Sequence, residues 1–559
     1  MNLDRPWLTQ YAPGVPADVE IPNGSVAQLL ERAAAEFPER SAFEFFGASL
    51  SYSEAVTQVR KAAQALLDLG LAPGDRVALA LPNCTQHAIA FYAALRIGAI
   101  VVEHNPLYTA EELRRQLADH SPRLVISWSN IADLIKSVAP EGAEVVAVDV
   151  TRAMPRAKQL LLRLPLGSIR RKRSALTVPT ALRSWDDLVA AAQPLPESHP
   201  QPDPTDIALL QYTGGTTGVP KAAVLTHRNL VAQAAQDVAW CHELVPGQET
   251  FFAALPIFHV YGLTTGLTVP VLLGATIVLF PKFDPDLVLD AQKRTPCTFL
   301  PGVPPMYPRL VTRARERKVS LKSIRFALAG AMSLPPEVVE LWEGETGGLL
   351  VEGYGMTESS PVTVGNPVYQ TRRTGSIGVP FPSTYVKIVH PENPFEEQPP
   401  GEPGELLVHG PQVFIGYWNR ADETAKTLLP GGWLRTGDIV VQDADGFIRI
   451  VDRLKELILV GGFNVYPSEV EEVLRQVPGV ADATVTAVPA DDHEEVLAAV
   501  VLSEGSDLDV ERIRTACRER LAAYKVPRRV VFVNELPRTI IGKVLRREVR
   551  DRYLRGELS

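Results

Sequence analysis

DRVALALPNCTQHAIAFYAALRIGAIVVEHNP, residues 75–106, reads as a strand, a Leu-Pro turn, a helix, a Gly-Ala break and a second strand. Short β-branched apolar runs flank a longer Ala-rich one, the pattern of a buried βαβ unit. The pattern returns later in the chain. TFFAALPIF (250–258) leads through YGLTTGLTVPVLLGA (261–275) to TIVLFPKFDP (276–285), with Leu81-Pro82 and Gly98-Ala99 matched by Leu255-Pro256 and Gly274-Ala275. Two similar βαβ layers are expected rather than a solenoid, because the short periods of a solenoid are absent. Strand and helix patterns alternate through residues 50–360, which implies an α/β fold with mostly parallel sheets.

Residues 375–452 differ, being Gly/Pro-rich with short alternating runs (TYVKIVH, GELLVHG, GFIRIVD), and predict a β-barrel-like appendage. After Asp452-Arg453-Leu454-Lys455 the pattern changes again. PSEVEEVLRQVPG predicts a helix with Ser468 as N-cap, followed by strands in DATVTAVPA and EVLAAVVLSE, a helix in VERIRTACRERLAAY and a strand in RRVVFVNELP. The expected fold class is α/β. A large N-terminal domain (1–452) holds two layered sheet subdomains and the β-rich part near 375–452, and a small α+β C-terminal domain spans 453–559.

Bulk properties narrow the class. A chain of 559 residues exceeds a single core, and a composition of 46% hydrophobic and 22% charged residues is that of an ordinary globular enzyme. A net charge of -9 argues against broad nucleic-acid binding. The four cysteines (Cys84, Cys241, Cys297, Cys517) lie far apart and form no CxxC pair, so neither a disulfide framework nor a zinc site is indicated. The start, MNLDRPWLTQYAPG, has no signal-peptide pattern, and VPVLLGATIVLF (269–280) is too short to span a bilayer. A cytoplasmic setting is expected, at most peripheral to the inner face of the membrane.

QYTGGTTGVPKAAVLTH (211–227) is a Gly/Thr-rich loop ending in a lysine. A Walker A loop needs Ser or Thr directly after the lysine, to hold Mg²⁺. Here Pro220 precedes Lys221 and Ala222 follows it, so the loop reads as a phosphate cradle of another kind. Five further stretches stand out: LPIFHVYG (255–262) with His259, EGYGMTESSP (352–361) with Thr357 and Glu358, and GGWLRTGD (431–438), ending in an acid on a turn. DRLKELILVGGFNVYPSEVE (452–471) and PRTIIGKVLRR (537–547) complete the set. Taken singly each has an ordinary reading: a turn, a satisfied histidine, a helix-start acid, a solvated basic face. Their occurrence together and in this order outweighs those readings.

In that order the motifs resemble the adenylate-forming superfamily of acyl- and aryl-CoA synthetases, nonribosomal adenylation domains and luciferases, over nearly the whole chain. LQYTGGTTG, SIGVPFPST, DRLKELILVGGFNVYP and YKVPRRVVFV look most like bacterial long-chain fatty-acid–CoA ligases. The resemblance implies ATP and CoA as co-substrates, Mg²⁺ as cofactor and a fatty acid as the acid activated, with a medium-chain or aryl acid as the alternative. A non-catalytic adenylate- or lipid-binding protein is the rival of another class. A homodimer is left open.

The chemistry is consistent with this. An acid made reactive by attack on an ATP α-phosphorus must approach another anion, so amide donors and cations have to offset the repulsion. By the resemblance, Thr213, Gly214, Gly215, Thr216, Thr217, Gly218 and Lys221 would hold the outer phosphates. Gly330, Ala331, Gly353, Tyr354 and Gly355 would border the adenine and the acyl carboxylate. Thr357 would meet the α-phosphate, Glu358 the magnesium, Asp438 the ribose, and Arg453 the ribose or phosphate. His259 would gate or position the acyl group. Lys543 would bridge the attacking carboxylate and the α-phosphate, and its spacing from Pro537 resembles a lysine-acetylation site that silences such enzymes. Lys455 would be the hinge of a mobile C-terminal domain that exchanges the Lys543 loop for a Gly461-Gly462-Phe463 loop lining the CoA tunnel.

One stretch stands apart from these motifs. TRAMPRAKQLLLRLPLGSIRRKRSALTVPTALR (151–183) holds many basic residues and no acid. It reads either as a solvated surface insertion or as a contact with an anionic membrane, its cations interleaved with Leu160, Leu161, Leu162 and Leu164.

Overall fold

The computed structural model describes residues 5–213, 220–460, 463–490, 493–539, 542 and 544–558, the side chains of Lys455, Leu459, Phe463, Asn464 and His493 excepted. Two large sheets organise the N-terminal part. One has six strands in the spatial order 144–148, 124–128, 76–80, 100–103, 207–213 and 221–226, parallel except at its last pair. The other has nine, in the order 379–380, 362–365, 349–355, 326–329, 299–302, 250–253, 276–279, 41–45 and 48–51, with a parallel centre and antiparallel edges. The βαβ echo resolves into this pair. Arg76–Ala80 lies parallel beside Ile100–Glu103 in the first sheet, and Thr250–Ala253 lies parallel beside Thr276–Leu279 in the second.

The two Leu-Pro turns meet. The Asn83 amide, one residue past Leu81-Pro82, donates to the carbonyls of Ala253 and Leu255 at 3.0 and 2.7 Å, and its Oδ1 accepts from Ile257 N–H at 2.8 Å. Buried amides this fully paired fix relative position as well as satisfying themselves. Helix Thr85–Arg96 runs between the sheets, against strands of both, and its residues from Gln86 to Arg96 are all buried. That is why its apolar pattern goes all the way round instead of forming a stripe.

The β-rich part is a six-stranded antiparallel sheet, built on the long strand Trp433–Gln442 and its neighbours Gly404–His409 and Ile448–Arg453. Beyond it, strands Val480–Ala490, His493–Leu502 and Arg529–Phe532 form a small sheet that packs with helices Pro467–Arg475, Val510–Arg518 and Arg546–Leu554. This matches the expected α+β unit. Ser468, however, is not the N-cap. The helix starts at Pro467, and its Ser468 N–H donates to Asp452 Oδ2 at 2.7 Å. A carboxylate from the end of strand Ile448–Arg453 does what the local serine was expected to do, because proline at the first helical position puts Ser468 inside the turn.

Candidate active site

Parallel sheets bind ligands outside the carboxyl ends of their strands, and both sheets open there onto one cavity of about 930 Å³. The six-stranded sheet contributes Thr213 and Lys221; the nine-stranded sheet contributes His259, Gly330 and Ala331 and the run Gly353–Glu358. The antiparallel sheet adds Asp438 and Arg453. Residues more than two hundred positions apart thus line a single space.

The glycine–threonine loop explains its own departure from Walker A. Thr213 and Lys221 face each other across an antiparallel pair, so the loop closes a β-hairpin. A Walker A loop instead leads from a strand into a helix. Gly214, Gly215, Thr216, Thr217 and Gly218 themselves lie outside the described residues. Lys221 forms an ion pair with Glu423 and sits 5.5 Å from the centre of the Tyr417 ring. Lys221 is the main reason, with Lys426, that Glu423 is held down to about 2.

Glu358 lies in the short helical turn Thr357–Ser359 and is buried. Its Oε1 accepts from the Tyr417 hydroxyl at 2.5 Å. Burial raises its pKa, while the Tyr417 bond, Arg453 and Lys221 work against that rise. The strand leading to it is tightly constrained. A side chain at Gly355 would run into the Pro361 carbonyl, just before the strand it pairs with. Gly330 has a different restriction: a Cβ there would stand 3.1 Å from the Tyr261 ring, and Ala331 next to it has φ of 67°.

Asp438 corrects one expectation. It is not a bare acid on a turn but sits inside strand Trp433–Gln442, buried, just after Gly437 at φ 70°. Arg453 is its direct cross-strand neighbour and reaches its Oδ1 at 3.1 Å, while Tyr354 Oη donates to Oδ2 at 2.5 Å. The motif ends in strand because the positive φ of Gly437 is accommodated as a bulge rather than a reversal. His259 caps the turn Val260–Leu263, its Nδ1 accepting from Tyr261 N–H at 3.3 Å, and burial lowers its pKa to about 4. A neutral imidazole suits positioning more than proton transfer.

The C-terminal unit reaches the same place. Arg538 and Thr539 line the cavity, and Arg538 donates to the Gly542 carbonyl at 2.7 Å. Gly542, at φ 86°, lies so close to the loop after Ala331 that a Cβ would stand 3.0 Å from Met332 Sδ. Lys543, Gly461 and Gly462 lie outside the described residues, as do the side chains of Lys455 and Phe463; the Lys455 backbone belongs to the turn Leu454–Glu456. Sequence reasoning missed Tyr417 and Glu423. Tyr417 is 59 residues from the acid it bonds, in a stretch with no pattern of its own, so nothing in the sequence could have marked it.

Comparison with known proteins follows the same lines. Residues 30–418 match the AMP-binding enzyme family and residues 469–543 its C-terminal domain. A long-chain-fatty-acid–CoA ligase of Bacillus subtilis (strain 168) is 39% identical over 99% of this chain and 98% of its own length. A feruloyl-CoA synthase of an Amycolatopsis species is 36% identical over 93% of this chain and 98% of its own. The crystal structure of ATP-bound MatB from Rhodopseudomonas palustris, 30% identical, superposes with a TM-score of 0.81 over 94% of this chain and 99% of that one. Its large N-terminal and smaller C-terminal domains have the layout found here. With relatives aligned from end to end and the motifs gathered around one cavity, the chain belongs to the AMP-binding enzyme family.

Proposed function

We propose that the protein is an ATP-dependent ligase that activates a long-chain fatty acid as acyl-AMP and then transfers the acyl group to CoA. The observation that carries this reading is the convergence of Lys221, Glu358, Asp438 and Arg453 with Arg538 and Thr539 on one cavity. The acid substrate rests on the long-chain ligases among the relatives, and the feruloyl-CoA synthase supports an aryl acid as the second reading.

In the first half-reaction a carboxylate oxygen attacks the ATP α-phosphorus and the bond to pyrophosphate breaks. The hairpin loop ending at Lys221 grips the departing phosphates. Tyr354, Asp438 and Arg453 form the nucleoside corner, where the ribose hydroxyls compete for the Asp438 oxygens that now hold Tyr354 and Arg453. Thr357 faces the α-phosphate and Lys543 offsets the charge that builds there. In the second half-reaction the CoA thiol attacks the acyl carbon and AMP leaves. Residues 453–559 turn about Lys455 as a separate domain from 1–452, and the Gly461-Gly462-Phe463 loop replaces the Lys543 loop.

The residues fit a magnesium ion that arrives with the nucleotide. Among the described residues no three His, Cys, Asp or Glu side chains cluster as a metal site, and magnesium bound through phosphates needs only one or two carboxylates. Glu358 would hold it, and when bound it neutralises charge on the departing phosphates.

The test is acid-dependent pyrophosphate release across a chain-length series, followed by thioester and AMP on adding CoA. Turnover of long-chain acids above medium-chain and hydroxycinnamic acids is expected. A preference for the aryl acids would transfer the reading to the alternative, and binding with no pyrophosphate release would end both.

A further inference from the structure

Residues 152–173 form a surface that the reaction does not use. Both ends of the segment are fastened to the body. At one end Arg152 pairs with Asp187 and Met154 is buried; just past the other, Trp128 Nε1 donates to the Leu176 carbonyl at 2.7 Å and Thr177 is buried. Between the ends the body is met by Leu162, which packs against the core, and by Lys158. Helices Arg156–Leu162 and Gly167–Ser174 bury no residue. Leu160, Leu161, Leu164 and Leu166 are 63%, 53%, 45% and 57% exposed, four large apolar side chains within seven positions. Apolar groups gathered like this on a surface mark a contact, whereas scattered ones do not.

Cations surround them. Arg152 and Arg183 are paired with Asp187 and Glu144. Arg156, Arg163, Arg170, Arg171, Lys172 and Arg173 are exposed and make no ion pair with any described residue. A chain of net charge -9 therefore carries one face of opposite sign.

The position also matters. The segment leaves the carboxyl end of strand Glu144–Val148 in the six-stranded sheet. Lys158 Nζ donates at 2.8 Å to the carbonyl of Phe46, the residue after strand Ser41–Phe45 of the nine-stranded sheet. Both points lie on the strand-end rims from which the cavity opens.

We infer that residues 152–173 dock the protein on an anionic lipid bilayer. The leucines enter the headgroup boundary while the arginines and lysine hold the lipid phosphates. The exposed leucines favour this occupant over nucleic acid, which would leave them in water. No described helix is long and apolar enough to cross a membrane, so the contact is at the surface.

Co-sedimentation of the full chain with phosphatidylglycerol/phosphatidylcholine vesicles tests this, against phosphatidylcholine alone. Two variants are used: Arg170→Gln/Arg171→Gln/Lys172→Gln/Arg173→Gln, and Leu160→Ser/Leu161→Ser. The wild type should pellet with the anionic vesicles alone and release at high salt. Each variant should lose partitioning by about ten-fold or more, with unchanged melting temperature and unchanged pyrophosphate release from detergent-dispersed acid. Equal binding by either variant, or no preference for anionic vesicles, overturns the inference. So does charge-dependent binding to a DNA oligonucleotide by a wild type that ignores vesicles.

Discussion

Glu358 is buried with its carboxylate against the Tyr417 hydroxyl, and that contact helps decide how far it is ionised. Burial pushes its pKa up and the phenol holds it down. Tyr417→Phe should therefore raise it further. Pyrophosphate release should fall by about ten- to a hundred-fold at neutral pH, the usual cost of losing a hydrogen bond to a charged group. The acid limb of the pH–rate profile should also move to higher pH; an unmoved limb would mean that Glu358 is not the titrating group.

Glu352, six residues earlier, shows a different effect of burial. It is buried, with one backbone N–H (that of Leu334) against its carboxyl, and burial raises it to about 8. That is above the ordinary glutamate value of about 4.3, so the folded state keeps a proton the unfolded chain has lost. The stability from this proton is complete below about pH 4 and lost as pH rises to about 8. Glu352→Gln mimics the protonated form. Its melting temperature should match the parent near pH 4, pull ahead as pH rises and keep a constant lead above about 8. A lead that does not depend on pH would contradict the assignment.

At the scale of the element, the passage from the antiparallel sheet into the C-terminal unit depends on Asp452. It accepts from its neighbour Arg453 N–H at 2.7 Å and from Ser468 N–H at 2.7 Å, and Arg546 Nη1 lies 3.4 Å away. Arg546 also pairs with Glu456 and with Glu471, so one guanidinium joins the strand end, the turn at Lys455 and the helix after it. Asp452→Ala removes a helix cap and leaves that cation short of a partner. It should destabilise the C-terminal unit by about 1–3 kcal/mol, visible as an earlier or separate transition in calorimetry. A single unshifted transition would argue against the role. The sequence held the right helix here but the wrong cap, since serine at this spacing is an N-cap only when the helix starts one residue beyond it.

Across the whole molecule, two cores meet at one cavity, and the unit carrying Gly542 lies against the Ala331–Met332 loop of the other. If Lys543, the next residue, acts only in the first half-reaction, Lys543→Ala should cut acid-dependent pyrophosphate release by about a hundred-fold or more. The variant should still convert supplied acyl-AMP and CoA to thioester at near the parental rate. Equal loss of both steps would remove the division of labour on which the proposed domain rotation rests.

The division between what was legible and what was not follows range. Elements, their order and the βαβ echo could be read from local patterns, because apolar periodicity is set by which face of a strand or helix is buried. Family motifs marked Lys221, Glu358 and Asp438 for the same reason: each stands in a short stretch with its own signature. What the sequence by itself determined is therefore the fold class and the set of candidate residues for the chemistry. Only the tertiary structure decided how they are paired: Glu358 with Tyr417, Lys221 with Glu423, Asp438 with Tyr354 and Arg453, and the Asn83 amide with the turn of the other sheet. Apart from Asp438 and Arg453, which face each other across adjacent strands, those partners are distant in sequence, and their contacts depend on geometry that exists only once the sheets have packed.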